Sequence, residues 1–573
     1  MEGDKIVHVD MGNMTVSSEN LPKEWELLGG RGLSAKILLR DLKNPKCDAL
    51  GPENLLVFAP GVLSGTSAPT SGRISVGCKS PLTGGIKEAN SGGNPGQDLA
   101  KLGIRAIVVA GQPKDKSKLY GLECDEAGVR IVPADHLAMK WNYATCEELA
   151  KKYTKNASFI TIGPAGEQLL TGASVACTDQ DSRHPARHAA RGGVGAVMGS
   201  KRLKFVALER GKARLREAKN KSDFNELAKK YTKAYLDGPQ MFKTGTSSIV
   251  PIANMLQTFP YKNRVFGQSP DAANLDGARI VESFEKRGGG MHNCLTGCIV
   301  RCSNVVHDAN GKYVTSALEF ETLTLLGSNC AVGSWEDVAA MDRLCDEVGL
   351  DTIETGAAIG VLMDAGKMAW GDAAAMKAAI ADVAKGTELG KVIGNGCVAA
   401  GKHTGHHRVP AVRGQAIPAW DPRPLKATGV TYATSAMGAD HTAGLIVNPG
   451  LPADQFAQAS QEVQLVNAVC DSSGFCQFVQ PTLDDIRQYY GHMYGREVSR
   501  EEIADQGWQI LADEWEFNRC AGFTAADDVL PKCMHEDAIG PAKMVFDVPA
   551  AIIADAKVRK PARENLFNTK AAG

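Results

Sequence analysis

At residues 212–223, KARLREAKNKSD, the chain changes texture. Before this charged linker, short β-branched runs such as KIVHVD, NLLVFAP, GRISVG, IRAIVVAG and KFVALE alternate with Gly- and Pro-rich turns, the pattern of strands. After it, apolar residues recur at helical spacing to the end. A chain divided in this way is α+β, with a β-rich N-terminal domain followed by two largely helical ones. The second boundary is drawn at the Pro-rich stretch VPAVRGQAIPAWDPRP, residues 409–424. The expected domains are 1–211, 212–412 and 413–573.

Size and charge exclude several classes. With 573 residues, 43% hydrophobic content and 61 glycines, the chain can bury a large core. The 64 Lys and Arg against 65 Asp and Glu give no global electrostatic case for nucleic acid or an anionic membrane. The start, MEGDKIVHVDMGN, is charged from its second residue and lacks an apolar h-region, and no apolar run reaches the length of a membrane span. A cytoplasmic protein is expected, whose fifteen cysteines stay reduced.

Three of those cysteines stand four residues apart in CLTGCIVRC: Cys294, Cys298 and Cys302. On a regular helix they would form one packed stripe. Gly297 and Arg301 suit a loop better. Closely spaced thiolates with a distant fourth are the ordinary ligands of a cubane iron–sulfur cluster, and a structural zinc takes the same number in closer pairs. Spacing favours a metal centre over core packing, and a disulfide is the weakest reading.

A fourth thiol is found in CDSSGFC, residues 470–476, which CDEVGLD, residues 345–351, echoes. Both have the form Asp-x-x-Gly and both end an amphipathic helix. The first helix is expected to start at Ser334 with Asp337 as capping-box partner, and to bury Val338, Met341, Leu344 and Val348. The second runs through Val463, Val466 and Val469. Gly349 and Gly474 suit the left-handed position that stops a helix. Asp346 and Asp471 then lie in last turns, where the helix dipole disfavours a carboxylate by about 0.3–1 kcal/mol, so something must compensate. Asp is common near helix ends, but the duplication suits two copies of a ligand with heterocyclic N–H groups. Cys476 is the natural fourth ligand of a cluster.

Glycine-rich loops complete the pattern. In ARGGVGAVMGSK, residues 190–201, Met198 occupies the place of the third glycine of a dinucleotide fingerprint, and no ribose-binding acid follows, so that reading is rejected. GGRGLSAK, residues 29–36, and KEANSGGNPG, residues 87–96, offer backbone groups that can cradle phosphate or a divalent cation.

Together these segments resemble the tungsten-containing aldehyde ferredoxin oxidoreductases. The resemblance runs along essentially the whole chain, through LGGRGLSAKIL, FAPGVLSGTSAPTSGRISVGCKSPLTGGIKEANSGG, ARGGVGAVMGSK, CLTGCIVRC, LEFETLTLLGSN, DEVGLD, TSAMGADHTAG and DSSGFC. It implies tungsten held by two pterins, one [4Fe–4S] cluster, Mg²⁺ bridging the pterin phosphates, and a β-rich base under two helical domains. Carried over residue by residue, Cys294, Cys298, Cys302 and Cys476 match the cluster ligands, and Asp346 and Asp471 the two pterin-binding carboxylates. Arg73 matches an arginine between pterin and cluster. Asn90 and Ala189 match the carbonyls on magnesium; His188, Arg191 and Arg31 are candidates for phosphate contacts. Two positions depart from the family pattern: Leu295, Thr296 and Gly297 make three residues where two are usual, and Ala190 stands where glycine is usual.

The implied reaction is a two-electron oxidation of an aldehyde to a carboxylic acid, or its reverse, which requires a buried proton donor or acceptor. Glu319 and Glu321 in LEFETL and His441 in GADHTAG are the candidates, with Tyr432 a weaker substrate-facing one. Molybdenum shares the dithiolene chemistry of tungsten. Ferredoxin or an iron–sulfur subunit would take the electrons, with a flavin subunit if NAD is the final acceptor, and an oligomer is expected. The alternatives are low-potential reduction of an aromatic acyl thioester on the same scaffold, and a cofactor-less electron-relay subunit.

Overall fold

The β-branched runs of the first two hundred residues pair into two six-stranded sheets. The computed structural model describes residues 4–568; residues 1–3, which include the first charges of the N-terminus, and 569–573, the tail of the third expected domain, lie outside the described residues. The first sheet has β1 (Lys5–Asp10), β2 (Thr15–Asn20), β3 (Leu56–Pro60), β4 (Ile74–Lys79), β5 (Ile86–Ser91) and β6 (Ile104–Ala110), in the order β2-β1-β6-β3-β4-β5. The second has β7 (Tyr120–Asp125), β8 (Gly128–Pro133), β9 (Ser158–Thr161), β10 (Val175–Cys177), β11 (Arg187–Ala189) and β12 (Leu203–Glu209), in the order β11-β10-β9-β12-β7-β8. Only β1–β6 and β7–β12 are parallel pairs, so each sheet is mostly antiparallel.

Alternation along the inner strands places apolar side chains on both faces of each sheet, while the edge strands β2 and β8 are largely exposed or half-buried. Val7, Leu56, Phe58 and Val76 of the first sheet share a core with Leu122, Ile160 and Val206 of the second. The opposite face of the first sheet, with Ile6, Val57 and Val108, packs on Leu33, Ile37 and Leu38 of the helix Gly30–Asp41. Phe159 and Phe205 on the far side of the second sheet pack on Leu149 of the helix Asn142–Lys152.

Beyond the linker the described residues form mainly helices and loops, with β13 (Gly290–His292), β14 (Ser303–His307), β15 (Tyr313–Ser316) and one two-stranded ribbon as their strands. The helix Trp335–Val348 starts on Ser334, whose hydroxyl accepts from Asp337 N–H; the reciprocal half of a capping box is absent. It buries Val338, Met341 and Val348 as expected, whereas Leu344, expected on the same face, is half-buried at the edge of the core. The helix Phe456–Ser473 differs from its apolar reading. Gln461, Gln464, Leu465 and Ala468 are buried while Val463 and Val466 are half-buried, because Gln461 and Gln464 donate to carbonyl and hydroxyl groups of neighbouring segments. Among the described residues no helix is long and apolar enough to cross a membrane.

Both Asp-x-x-Gly helices stop on a left-handed glycine, Gly349 (φ 83°) and Gly474 (φ 91°), and each stop docks on a different sheet of the base. Ser174 N–H, before β10, donates to Gly349 O (2.9 Å), and Asn142 Nδ2 to Asp346 O (2.7 Å). At the other stop, Val62, Leu63 and Arg73 N–H in the loop between β3 and β4 donate to Ser472, Ser473 and Gly474 carbonyls (3.1, 2.9 and 3.2 Å). The duplicated motif is thus matched by a duplicated sheet.

Candidate active site

The segment CLTGCIVRC is an irregular loop between β13 and β14. Gly297 (φ 79°) turns it, and a side chain there would meet nothing within 4 Å, so the extra residue before Cys298 is housed in an open turn. Cys294, Cys298 and Cys302 are half-buried, and Cys476 is buried. The Cys294 and Cys298 thiols are hydrogen-bonded to each other, and Cys302 lies in the field of Cys294 and Cys476. Bonded to Cys298 and facing Arg187 and Arg73, the Cys294 thiol is drawn down to about 7 although burial opposes this. Burial pushes the Cys476 thiol up against the pull of Arg73.

Among the described residues no three His, Cys, Asp or Glu side chains converge as one metal ion would require. In a cubane each iron takes one thiolate, so the ligands surround a cluster instead of meeting at a point. Four thiols grouped around one space, with cationic side chains beside them, suit that donor set better than a mononuclear zinc site.

Arg73 connects this group to the next. Its Nη1 is 4.0 Å from Cys476 Sγ, its Nη2 donates to Asn90 O (3.3 Å), and its Nε donates to Asn90 Oδ1. Asn90 sits on β5 directly opposite Ser75 of β4 and donates to Glu88 (3.3 Å). Asp471 lies close to Arg73 and Glu88, accepting from Gln477 Nε2 (3.1 Å) and facing Arg31 Nη1 at 3.5 Å. These partners offset its unfavourable place in the helix dipole only in part. Burial, and then the nearby Glu88, push the Asp471 carboxyl up to about 7. Arg31 is mostly engaged by Glu514, which it grips through two bonds of 2.7 and 2.9 Å.

Asp346 is partnered on the second sheet. His188 Nε2 stands 3.0 Å from its Oδ1, with His188 Nδ1 bonded to Ser174 Oγ (2.8 Å), and Tyr143 OH donates to Oδ2 (3.5 Å). Ala189 is fully buried on β11 opposite Val175 of β10. Ala190 takes φ −93° and ψ −43°, which an alanine adopts without strain; Gly192 and Gly193 carry the positive φ values. Arg191 points away from both carboxylates, donating to Ala439 O (2.7 Å) and Ala416 O and lying 3.4 Å from Asp351.

The two glutamates part company. Glu319 accepts from Thr246 Oγ1 and faces Cys302, Arg187 and Arg73; burial raises its carboxyl against those bonds and charges. Glu321 turns toward His441, with Oε1 3.8 Å from Nε2. Ala419 N–H holds Glu321 Oε2 at 2.6 Å, but Glu321 Oε1 and His441 Nδ1 are both buried with no hydrogen-bond partner. Unsatisfied buried polar atoms are costly, and each of these leaves a hydrogen-bonding position open to a ligand; Asp440 Oδ1, 3.9 Å from His441 Nδ1, is beyond hydrogen-bond reach. Tyr432, fully buried, donates to Trp420 O (3.3 Å).

Sequence reasoning missed Arg187 and Lys87. Arg187 lies on β11, 2.7 Å from Asp179, and donates to Ser303 Oγ beside Cys302. Strand alternation from Ala189 puts it on the same face, a signal legible in RHA. Lys87 reaches from β5 to Asp440, next to His441, at 2.5 Å, and nothing in its local sequence pattern indicates a partner 353 residues away.

The family model for the aldehyde ferredoxin oxidoreductase N-terminal domain matches residues 6–210, and the model for domains 2 and 3 matches 225–553. The chain is 33% identical over 566 residues to the tungsten-containing aldehyde ferredoxin oxidoreductase of Thermococcus kodakarensis, and 32% over 567 residues to that of Pyrococcus furiosus. In both cases 93% of this chain and 91% of the relative are covered. A Pyrococcus furiosus protein named aliphatic sulfonate oxidoreductase, WOR-like subunit, is 25% identical over 567 residues, covering 88% of this chain and 84% of its own. Among solved structures, the active site complex BamBC of benzoyl coenzyme A reductase superposes with a TM-score of 0.78 over 93% of this chain and 91% of that one; at 18% identity this shows a common fold. With both family models matched and a third of its residues shared along nearly the whole length of these relatives, the chain belongs to the aldehyde ferredoxin oxidoreductase family.

Proposed function

We propose that this chain oxidises aldehydes to carboxylic acids, or runs the reverse reaction, with a tungsten-bis-pterin and one [4Fe–4S] cluster, and hands electrons to ferredoxin or an iron–sulfur subunit. The observation that carries the reading is the Glu321–His441 pair, whose buried, unpartnered Oε1 and Nδ1 atoms suit proton exchange with a carbonyl substrate and water. When bound, the metal–pterin group supplies the two-electron redox step and the cluster divides it into single electrons.

The protein's own residues bind, orient and move protons. Glu321, anchored through Oε2 by Ala419 N–H, keeps Oε1 free to take a proton from water as its oxygen bonds to the aldehyde carbon, and His441 presents a second proton acceptor beside it. Asp471 and Asp346 would hold one pterin each, Asn90 and Ala189 would offer carbonyl oxygens to a magnesium ion, and His188 beside Asp346 is the phosphate candidate best placed, since Arg31 is engaged by Glu514 and Arg191 by Ala439, Ala416 and Asp351. Cys294, Cys298, Cys302 and Cys476 would carry the cluster, with Arg73 between it and the Asp471 side. The reading keeps the domain division 1–211, 212–412 and 413–573, a cytoplasmic location and an oligomeric state.

The test is anaerobic turnover of simple aldehydes with a viologen acceptor. Glu321→Gln is expected to lower kcat by about 10²–10⁴-fold, the usual scale for loss of a general base. Glu319→Gln, whose carboxyl faces the thiols, is expected to keep more of its kcat. Undiminished turnover in Glu321→Gln, or an equal loss in both variants, contradicts the assignment.

A further inference from the structure

The four thiols come from two parts of the chain separated by more than one hundred and seventy residues, and one residue of the base hydrogen-bonds the backbone of both parts. Thr70 lies in the loop between β3 and β4, 1% exposed. Its N–H donates to Gly297 O (2.9 Å), just before Cys298, and its Oγ1 accepts from Ile299 N–H (3.0 Å), just after it. Its carbonyl accepts from Cys476 N–H (3.0 Å). All its polar groups are thus used to fix one thiol loop against the other. It does so at φ +56°, a left-handed conformation that a β-branched residue seldom adopts and that costs energy wherever it occurs. Strain of this kind persists where the surroundings over-determine it, and it clusters at functional sites.

We propose that Thr70 is a positioning residue for the cluster, setting the spacing between the Cys294–Cys302 loop and Cys476 and withholding the Ile299 amide from the cluster sulfurs. The proposal rests on the four-thiol cluster assigned above. Glycine would adopt this φ freely but could not bind Ile299 N–H, which accounts for a strained threonine in a loop otherwise rich in glycine and serine. With the hydroxyl removed, the Ile299 N–H, one residue after Cys298, loses its acceptor and is free to bond a cluster sulfur, and hydrogen bonds to sulfur move a cluster's reduction potential.

The experiment compares Thr70→Val, which keeps the branched shape and removes the hydroxyl, with Thr70→Ser, which restores it, in anaerobically purified holoenzyme. Iron per chain, the electron paramagnetic resonance spectrum of the reduced cluster and its midpoint potential are read for each. Thr70→Val is expected to lose iron or to shift potential upward with altered g-values, and Thr70→Ser to match wild type. Wild-type iron, spectrum and potential in Thr70→Val overturns the proposal, as does an equal change in both variants. If Thr70→Val gives no folded protein, Thr70→Ala replaces it with the same two criteria. Absence of iron from the wild-type protein would instead defeat the cluster assignment itself.

Discussion

A buried charge is tolerated only with a partner, and Asp440, next to His441, has one from an unexpected quarter. Lys87 and Asp440 have side chains 1% and 3% exposed, and Asp440 Oδ1 also accepts from Thr442 N–H and Oγ1 at 3.0 and 2.8 Å. Burial alone would raise the Asp440 carboxyl, but Lys87, then Arg191 and His441, hold it well below its ordinary value. A carboxyl lowered in the folded state contributes stability that is complete above its unfolded value of 3.8 and is lost as pH falls through the folded one. Lys87→Met leaves the carboxylate buried without its cation, so unfolding at pH 7 is expected to lose about 3–5 kcal/mol. The deficit against wild type should shrink on acidification as Asp440 takes a proton, and a pH series of thermal melts checks this. Asp471 works in the opposite sense. Its carboxyl is raised to about 7, so in the cofactor-free protein its ionisation costs stability as pH rises from about 4 through 7. Asp471→Asn should flatten that part of the profile. At this scale the sequence offered candidates but not pairings: Glu319, Glu321 and His441 came forward through family resemblance with no choice between the two glutamates, whereas Lys87, Arg187 and Thr70 make contacts across the fold that no local pattern records.

Helix ends and loops were more legible than side-chain partnerships, because caps are local. Gly349 and Gly474 follow from the Asp-x-x-Gly motif together with apolar spacing, and the structure places both in the left-handed stop. The buried face of the helix Phe456–Ser473 was less readable, because amide-bearing residues such as Gln461 and Gln464 can be buried once neighbouring segments supply acceptors. Close approach of backbones was invisible as well. A Cβ on Gly474 would lie 2.7 Å from Ser71 O, 2.8 Å from Ser64 Oγ and 2.9 Å from Gly61 Cα, whereas one on Gly297 would touch nothing. Both have positive φ, so Gly297→Ala is expected to cost only the backbone strain, roughly 1–2 kcal/mol. Gly474→Ala should cost clearly more and loosen the Asp471 end of its helix. Urea unfolding of the two variants side by side makes the comparison; equal losses would mean that the contact between Gly61 and Gly474 is unimportant.

The change of texture at 212–223 announced the molecule's division into a β-rich part and a helical part. What it could not show is that the β-rich part is two packed sheets, since strand order depends on pairings such as β1 with β6 and β7 with β12 across long connections. Nor could it show that each Asp-x-x-Gly helix ends on its own sheet, bringing Asp346 to His188 and Asp471 to Arg31 and Arg73. The two Asp-x-x-Gly ends thus stand in comparable places, each on its own sheet, with the thiols beside one of them and the Glu321–His441 pair near the loop that Lys87 and Arg191 tie to the base. The central claim is that this scaffold carries one metal–pterin centre and one cubane. It is tested most directly by purifying the protein without oxygen and measuring tungsten, molybdenum and iron per chain by plasma mass spectrometry. About one tungsten with about four irons is the result expected for a single cubane beside one metal–pterin centre; iron without tungsten or molybdenum, after adequate supply of both metals, would contradict the account.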